Sequence, residues 1–197
     1  MCLENYRGEN PLVLGIPRGG AIVGYEVARN LNAEFDIIVA RKLPYPDDPE
    51  AGFGAVAEDG SYVNLPDMSP SEQIIHDVKK GVVDEIQRRI QVLRAGRPIK
   101  RIEGRTIIIV DDGMAMGMTM QAAIKMCRSH NPKKIVVAVP VGDRGIENMI
   151  SQMVDDLIIL EKPAFFVAVA QGYEHWYDIS EQEVVDVMNQ ARAEAAA

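Results

Sequence analysis

Short β-branched apolar runs alternate along this chain with longer stretches whose apolar residues recur every three or four positions. The runs predict strands at 12–16, 35–41, 106–111, 134–139 and 156–160. The periodic stretches predict helices at 20–31, 70–94, 117–130, 144–153 and 180–192. In the longest, Ile75, Val78, Val82, Ile86, Ile90 and Leu93 fall on one stripe, so that helix covers a core with a single face. The predicted strands are apolar nearly throughout rather than at alternate positions. Strands of that kind have both faces covered, and their alternation with helices argues for a parallel sheet in an open α/β domain. Ligands bind such sheets at the carboxyl ends of the strands.

The stretch KLPYPDDPEAGFGAVAEDGSYVNLPD, residues 42–67, breaks the rhythm with four prolines, several glycines and a short β-like pair around AEDG. A loop of that length inside a compact domain is either functional or plain surface, and both readings stand at this point. The chain has no internal repeats, and its alanine-rich end reads as a frayed helix.

With 197 residues the chain is long enough for one domain with a real core, and a single domain over 1–197 is expected. A net charge of −8 argues against broad attraction to nucleic acid and means that an anionic substrate would need cations gathered locally. Cys2 and Cys127 lie far apart, without metal-ligand spacing or a disulfide framework, which fits a reducing cytoplasm. The apolar runs are strand-sized, and no membrane span or signal peptide is expected.

Candidate chemistry gathers at the predicted strand ends. TIIIVDDGMAMGMTM, residues 106–120, ends an apolar strand on Asp111 and Asp112 and passes through a bare turn into a helix. Backbone N–H groups at a helix N-terminus receive anions, and Thr119 adds a hydroxyl. Carboxylates do not bind phosphate, but they accept hydrogen bonds from sugar hydroxyls. A phosphate nest beside an acid pair points to a ribose phosphate; the alternative is a solvated Asp-Asp-Gly turn. VLGIPRGGAIVGYEVA, residues 13–28, runs from strand through PRGG into another helix. Gly19 and Gly20 admit close backbone approach, and Arg18 supplies a planar fork for phosphate oxygens. A third strand end carries Arg41 and Lys42. Cations at two ends and carboxylates at the other suggest a substrate with two phosphate groups separated by a sugar.

These stretches resemble a known family. IIIVDDGMAMGMTMQAA resembles the phosphoribosyl-pyrophosphate signature of the type I phosphoribosyltransferases, PRGG their pyrophosphate loop, and ARKLP their strand-end Arg-Lys before a mobile catalytic loop. The resemblance runs in the right order from about residue 12 to 178. It implies a core five-stranded parallel sheet with helices on both faces, a flexible loop at about 42–67, and a small C-terminal hood at about 163–197. It implies that Asp111 and Asp112 bind the ribose hydroxyls and that Gly113, Met114, Ala115, Met116, Gly117, Met118 and Thr119 form the 5-phosphate loop. Pro17, Arg18, Gly19 and Gly20 would hold pyrophosphate with help from Arg41 and Lys42, and a cis peptide is expected at Pro17–Arg18. Mg2+ would bridge substrate oxygens with no direct protein ligand expected. The implied reaction is displacement of pyrophosphate from the ribose C1 by a nitrogen acceptor such as a nucleobase, as in nucleotide metabolism. A homodimer is expected.

Some positions depart from the family pattern. Met116 stands where Thr or Ser is usual, and Ala115 stands where 6-oxopurine enzymes place an aspartate, which argues against a hypoxanthine–guanine enzyme. Little is left before residue 12 of the helix that commonly precedes the first strand. Glu58 in AEDG resembles an acceptor-contacting glutamate of adenine-specific relatives and is a candidate general acid–base. In AFFVAVAQGYEHWYDIS, residues 164–180, Phe165, Phe166, Tyr173, Trp176 and Tyr177 either pack the core or stack on a flat base, with Phe166 and Trp176 the stacking candidates. His76 and His175 are isolated, and His130 suits a helix C-terminus. Two readings remain: an active transferase, or a regulatory protein of the same fold that binds phosphoribosyl pyrophosphate or a nucleotide. A phospho-receiver domain, echoed by VDDG and Lys162–Pro163, is excluded because the interval cannot hold the missing strand and acceptor aspartate.

Overall fold

The computed structural model describes residues 3–65 and 69–195. Cys2, the end of the predicted loop at 66–67 and the last two alanines lie outside the described residues. In chain order the elements are β1 (Leu12–Gly15), α1 (Gly19–Leu31), β2 (Glu34–Ile37), β3 (Ala40–Tyr45), β4 (Asp48–Ala57) and β5 (Tyr62–Asn64). There follow α2 (Glu72–Arg94), β6 (Thr106–Val110), α3 (Met118–Ser129), β7 (Lys134–Val141), α4 (Glu147–Ser151), β8 (Asp156–Glu161) and α5 (Glu181–Ala195). Five strands form a parallel sheet in the order β2-β1-β6-β7-β8, and β3, β4 and β5 form a small antiparallel sheet.

The sheet is buried on both sides because its strands have no polar face to turn outward. Alternate residues of β6 go to opposite faces. Ile108 and Val110 join Val13 and Val136 in a core with Tyr25 and Leu31 of α1, Ile86, Ile90 and Leu93 of α2, and Val184 and Met188 of α5. Ile107 and Ile109 join Leu12, Leu14, Ile135 and Val137 in a second core with Met120, Ile124 and Cys127 of α3 and Ile150 of α4. The stripe predicted on the long helix thus enters the first of these cores at the helix's C-terminal end, packing against β3 and β4 of the small sheet and against α5. Burial of each such Leu, Ile or Val contributes about 1.5–3 kcal/mol.

Two expectations are corrected. The strand predicted over 35–41 is two strands: β2 ends at Ile37, and the chain enters the second sheet at Ala40. Residues 37–40 are all buried, so their hydrophobicity carried no sign of the break. The stretch predicted as a flexible loop from residue 42 is instead the β3–β4–β5 sheet as far as it is described, with Leu43, Phe53, Ala55 and Val56 fully buried. Prolines made it read as loop, but Pro44 sits at register shifts in the β3–β4 ladder, where a missing N–H is tolerated. Gly54 is required there, since a Cβ would lie 2.4 Å from the Val63 carbonyl oxygen.

Glu58, the candidate acid–base, has a structural place. Its carboxylate is buried against the Arg94 guanidinium, which bonds both carboxylate oxygens and donates to the Ile37 carbonyl at 3.2 Å. Buried Asp36 lies alongside and accepts from the backbone N–H groups of Ile37 and Lys100, each at 2.9 Å. Burial raises both carboxyls above their ordinary range, and the Arg94 charge draws them back. Arg94, in the last turn of α2, therefore joins that helix to the end of β2 in the main sheet and to the residue that follows β4 in the small one. Arg94→Met is expected to cost about 3–5 kcal/mol at neutral pH because it strands buried carboxylates. A carboxyl whose folded pKa lies above its unfolded value contributes stability at low pH and loses it as pH rises. The deficit should accordingly shrink toward about pH 4; a deficit in urea unfolding that is the same at both pH values would contradict this.

Candidate active site

The strand order reverses beside β1, whose neighbours are β2 on one side and β6 on the other. Loops leaving the carboxyl ends of β1 and β6 part there, and a cavity of about 490 Å³ opens at that point. Its floor is made of backbone in unusually close approach. A Cβ on Gly15 would lie 2.5 Å from the Gly20 carbonyl oxygen, and one on Gly20 would lie 2.7 Å from Asp111 Cα and the Val110 oxygen. A Cβ on Gly19 would lie 1.8 Å from Asp112 Oδ2. The Pro17–Arg18 peptide is cis, as the resemblance implied. The PRGG turn therefore rests on the acid pair, with Gly15 and Gly20 packed against backbone and Gly19 against the Asp112 side chain.

Asp111 and Asp112 line the cavity, with the Asp112 N–H donating to Asp111 Oδ1 at 2.9 Å. Burial pushes the Asp111 carboxyl well upward, and the neighbouring Asp112 charge adds to that. Asp112 is raised by burial too, opposed by hydrogen bonds from Asp111 and from backbone N–H groups. Two carboxyls this close resist ionising together, and a ligand that brings hydroxyl donors or positive charge relieves them. Among the described residues no group of three or more His, Cys, Asp and Glu could hold a metal ion by itself.

Helix α3 starts at Met118, one residue later than predicted, with Gly117 as its cap at φ +68° and no side-chain cap. Its first N–H groups thus lack helical partners, and Thr119 lines the cavity. Gly113 and Met114 are buried, the latter bonded to Val141 and Asp143 of the next strand and its loop. Ala115 and Met116 are exposed beside the cavity rather than lining it.

Cations reach the cavity from three elements. Arg18 comes from the PRGG turn, Arg41 and Lys42 from β3 of the second sheet, and Arg89 from α2. Arg41 and Lys42 are therefore near the site although they do not end a strand of the main sheet. Arg89 had no counterpart in the sequence reading, because an Arg-Arg pair on a polar helix face carries no sign of what lies opposite.

The far wall is the segment before α5. Tyr173 donates its hydroxyl to the Asp112 carbonyl oxygen at 2.6 Å, and Trp176 meets the Tyr173 ring edge-on with centroids 5.2 Å apart. Burial and the acid pair push the Tyr173 hydroxyl up to about 12, so it stays a donor at neutral pH. His175, Tyr177, Asp178 and Ile179 complete this wall. Phe166, the other stacking candidate, does not line the cavity and neither does Glu58. Phe166 belongs to a loop held by Gln171, whose side chain bonds the backbone at 165, 167 and 168. His76 is exposed on α2, and His130 caps α3 with Nδ1 2.9 Å from the Met126 carbonyl oxygen.

Fold and site together define an open α/β protein whose ligand cavity lies at the switch point of its parallel sheet, walled by an acid pair, cations and aromatic rings. The chain belongs to the phosphoribosyl transferase domain family, which matches residues 1–174. It is 38% identical over 198 residues to proteins from two strains of Mycobacterium tuberculosis that are named, provisionally, as phosphoribosyl transferases. The match covers 98% of this chain and 45% of theirs, so the chain spans about half the length of these curated relatives. The crystal structure of TT1426 from Thermus thermophilus is similar at 32% identity and a TM-score of 0.79, covering 95% of this chain and 91% of that one. Among the described residues no helix is long and apolar enough to cross a membrane.

The glycine contacts separate two substitutions one residue apart. Gly20→Ala meets backbone and should cost about 1–3 kcal/mol in urea unfolding. Gly19→Ala meets only the Asp112 side chain, which can turn away. It should unfold within about 1 kcal/mol of wild type, and equal losses for the two variants would contradict this contact geometry.

Proposed function

We propose that this chain binds phosphoribosyl pyrophosphate with Mg2+ and transfers the phosphoribosyl group to a nitrogen acceptor, releasing pyrophosphate. The observation that carries this reading is the seating of the PRGG turn on the Asp111–Asp112 pair, which sets an anion-receiving turn against two hydroxyl acceptors. Asp111 and Asp112 accept hydrogen bonds from the ribose 2- and 3-hydroxyls. The open N–H groups of α3 and the Thr119 hydroxyl take the 5-phosphate. Arg18, the N-terminus of α1, Arg41 and Lys42 take the pyrophosphate end.

In the reaction the C1–O bond to pyrophosphate breaks as a bond from the acceptor nitrogen to C1 forms. Positive charge gathers on the ribose ring in the transition state, next to the acid pair, while negative charge gathers on the leaving group next to Arg18 and Lys42. An acid pair whose mutual repulsion a dication would relieve is compatible with Mg2+ nearby, and the resemblance implies an ion held mainly by substrate and water. When bound, Mg2+ neutralises charge on the departing pyrophosphate. The Tyr173 and Trp176 rings would wall the acceptor's side of the cavity.

Pyrophosphate release from phosphoribosyl pyrophosphate and Mg2+, assayed across a panel of nitrogen bases, tests the reading. Asp112→Asn should lower kcat/KM by about 10²–10³, and unchanged kinetics would contradict the assignment. Tight binding with no release on any base would favour the regulatory alternative. Because the ionised pair is the hydrogen-bond acceptor, affinity for ribose 5-phosphate should rise as pH climbs through the pair's raised pKa and level off above it. Calorimetry that finds affinity flat from about pH 4 to 8 would contradict that role. Arg18→Ala should weaken pyrophosphate binding more than ribose 5-phosphate binding, and equal losses would count against it.

A further inference from the structure

A second cavity, of about 800 Å³, lies at the other end of the helices that wall the first and shares no lining residue with it. Gly19, the first residue of α1, lines the main cavity, whereas Arg29 in the last turn of that helix lines the second. Ile179 just before α5 and Arg192 in its last turn divide in the same way. On α2 the division falls between Arg89 and Arg94. Helices of 13 and 15 residues set the two ends about 15–20 Å apart.

The cations of the second wall are unequally matched. Lys100 pairs with Glu34 at 2.9 Å, Arg29 with Glu26 at 3.4 Å and Glu194 at 3.7 Å, and Arg94 with Glu58. Among the described residues Arg97 and Arg192 have no carboxylate within ion-pair distance; Arg192 donates only to the Asn189 side-chain oxygen, at 3.3 Å. Burial and the neighbouring Arg97 charge both push the Arg192 pKa down, and buried Asp36 only partly offsets them. The Asp36 oxygens are already taken by the backbone N–H groups of Ile37 and Lys100. Two like charges from separate elements thus stand close together in the wall of one cavity. The same wall holds two polar atoms without partners, the Tyr25 hydroxyl and Arg94 Nε, in residues only 4% and 3% exposed. A buried donor left unpaired costs about 1–3 kcal/mol. The wall is therefore short of acceptors as well as of negative charge.

We propose that this second cavity is a binding site for a small phosphate-bearing anion, gripped by Arg97 and Arg192. A phosphate dianion matches two guanidiniums in charge, and its oxygens accept from both forks at once. A single carboxylate would occupy one fork and leave half the repulsion in place. Ala28, Phe35, Pro98, Met188 and Ala191 give the cavity an apolar part, with room for an organic body beside the phosphate. The inference uses none of the residues given to the transferase reaction and stands apart from that reading.

Calorimetric titrations at physiological salt test it, with inorganic phosphate, AMP, GMP and UMP as probes of wild type and of the Arg97→Gln, Arg192→Gln double variant. Wild type should bind at least one probe through a component that weakens about 10-fold or more in the variant. The two cavities lie about two screening lengths apart at that salt, so charge removed from one leaves anion binding at the other intact. A monophosphate that binds more tightly than inorganic phosphate identifies an organic ligand, and equal affinities identify the free ion. Arg97 is exposed, and Arg97→Gln removes a like charge beside Arg192, so that variant should melt no lower than wild type. If the double variant fails to fold, the same weakening in Arg97→Gln alone decides the matter. Absence of binding by every probe overturns the inference. Isotherms that are the same in wild type and variant also overturn it, by assigning all the phosphate bound to the main cavity.

Discussion

Everything at the site depends on how closely the turn after β1 lies on the turn after β6. Gly15 and Gly20 are the condition for it, since side-chain carbon at either would enter space held by the backbone of Gly20 or of Val110 and Asp111. The approach does two things at once. It brings the N-terminus of α1 to one side of the acid pair, and it takes water from the carboxyls, which raises both of them. Left empty, the pair is electrostatically uncomfortable, and a hydroxylated or cationic ligand is what relieves it. The fold thus holds the site in a state that a ligand improves, at some cost to the unliganded protein.

Around that floor the other elements act as supports. The Tyr173 hydroxyl bonds the backbone of Asp112, so the aromatic wall is fastened to the same residue that the PRGG turn touches. The small antiparallel sheet brings Arg41 and Lys42 to the cavity and is itself fastened through Glu58 and Arg94 to α2. Helix α2 in turn presents Arg89, aligned by Glu85 and Glu181. Charges that looked unrelated in sequence are therefore linked through one helix.

The sequence made the main sheet legible because its strands are apolar on both faces, which a five-residue run such as TIIIV shows without any tertiary information. Asp111, Asp112, Arg18 and the glycines were legible because each lies within a short segment where strand, turn and helix follow at once. What escaped depended on contacts distant along the chain. Glu58 resembles an acceptor-contacting glutamate until Arg94, in another element, is brought against it. Phe166 and Trp176 looked alike, and only the Gln171 loop and the Tyr173 contact tell them apart. Residues 42–67 read as loop because proline and glycine mark turns in isolation, whereas as far as residue 65 they belong to a partly buried sheet with irregular register.

The central claim is that the seated acid pair receives the ribose of phosphoribosyl pyrophosphate. Calorimetric titration of that ligand with Mg2+ into wild type and into the Asp111→Asn, Asp112→Asn double variant tests it most directly. The account predicts one-site binding to wild type and its loss in the variant. Absence of binding to wild type, or equal binding by both, would contradict the account.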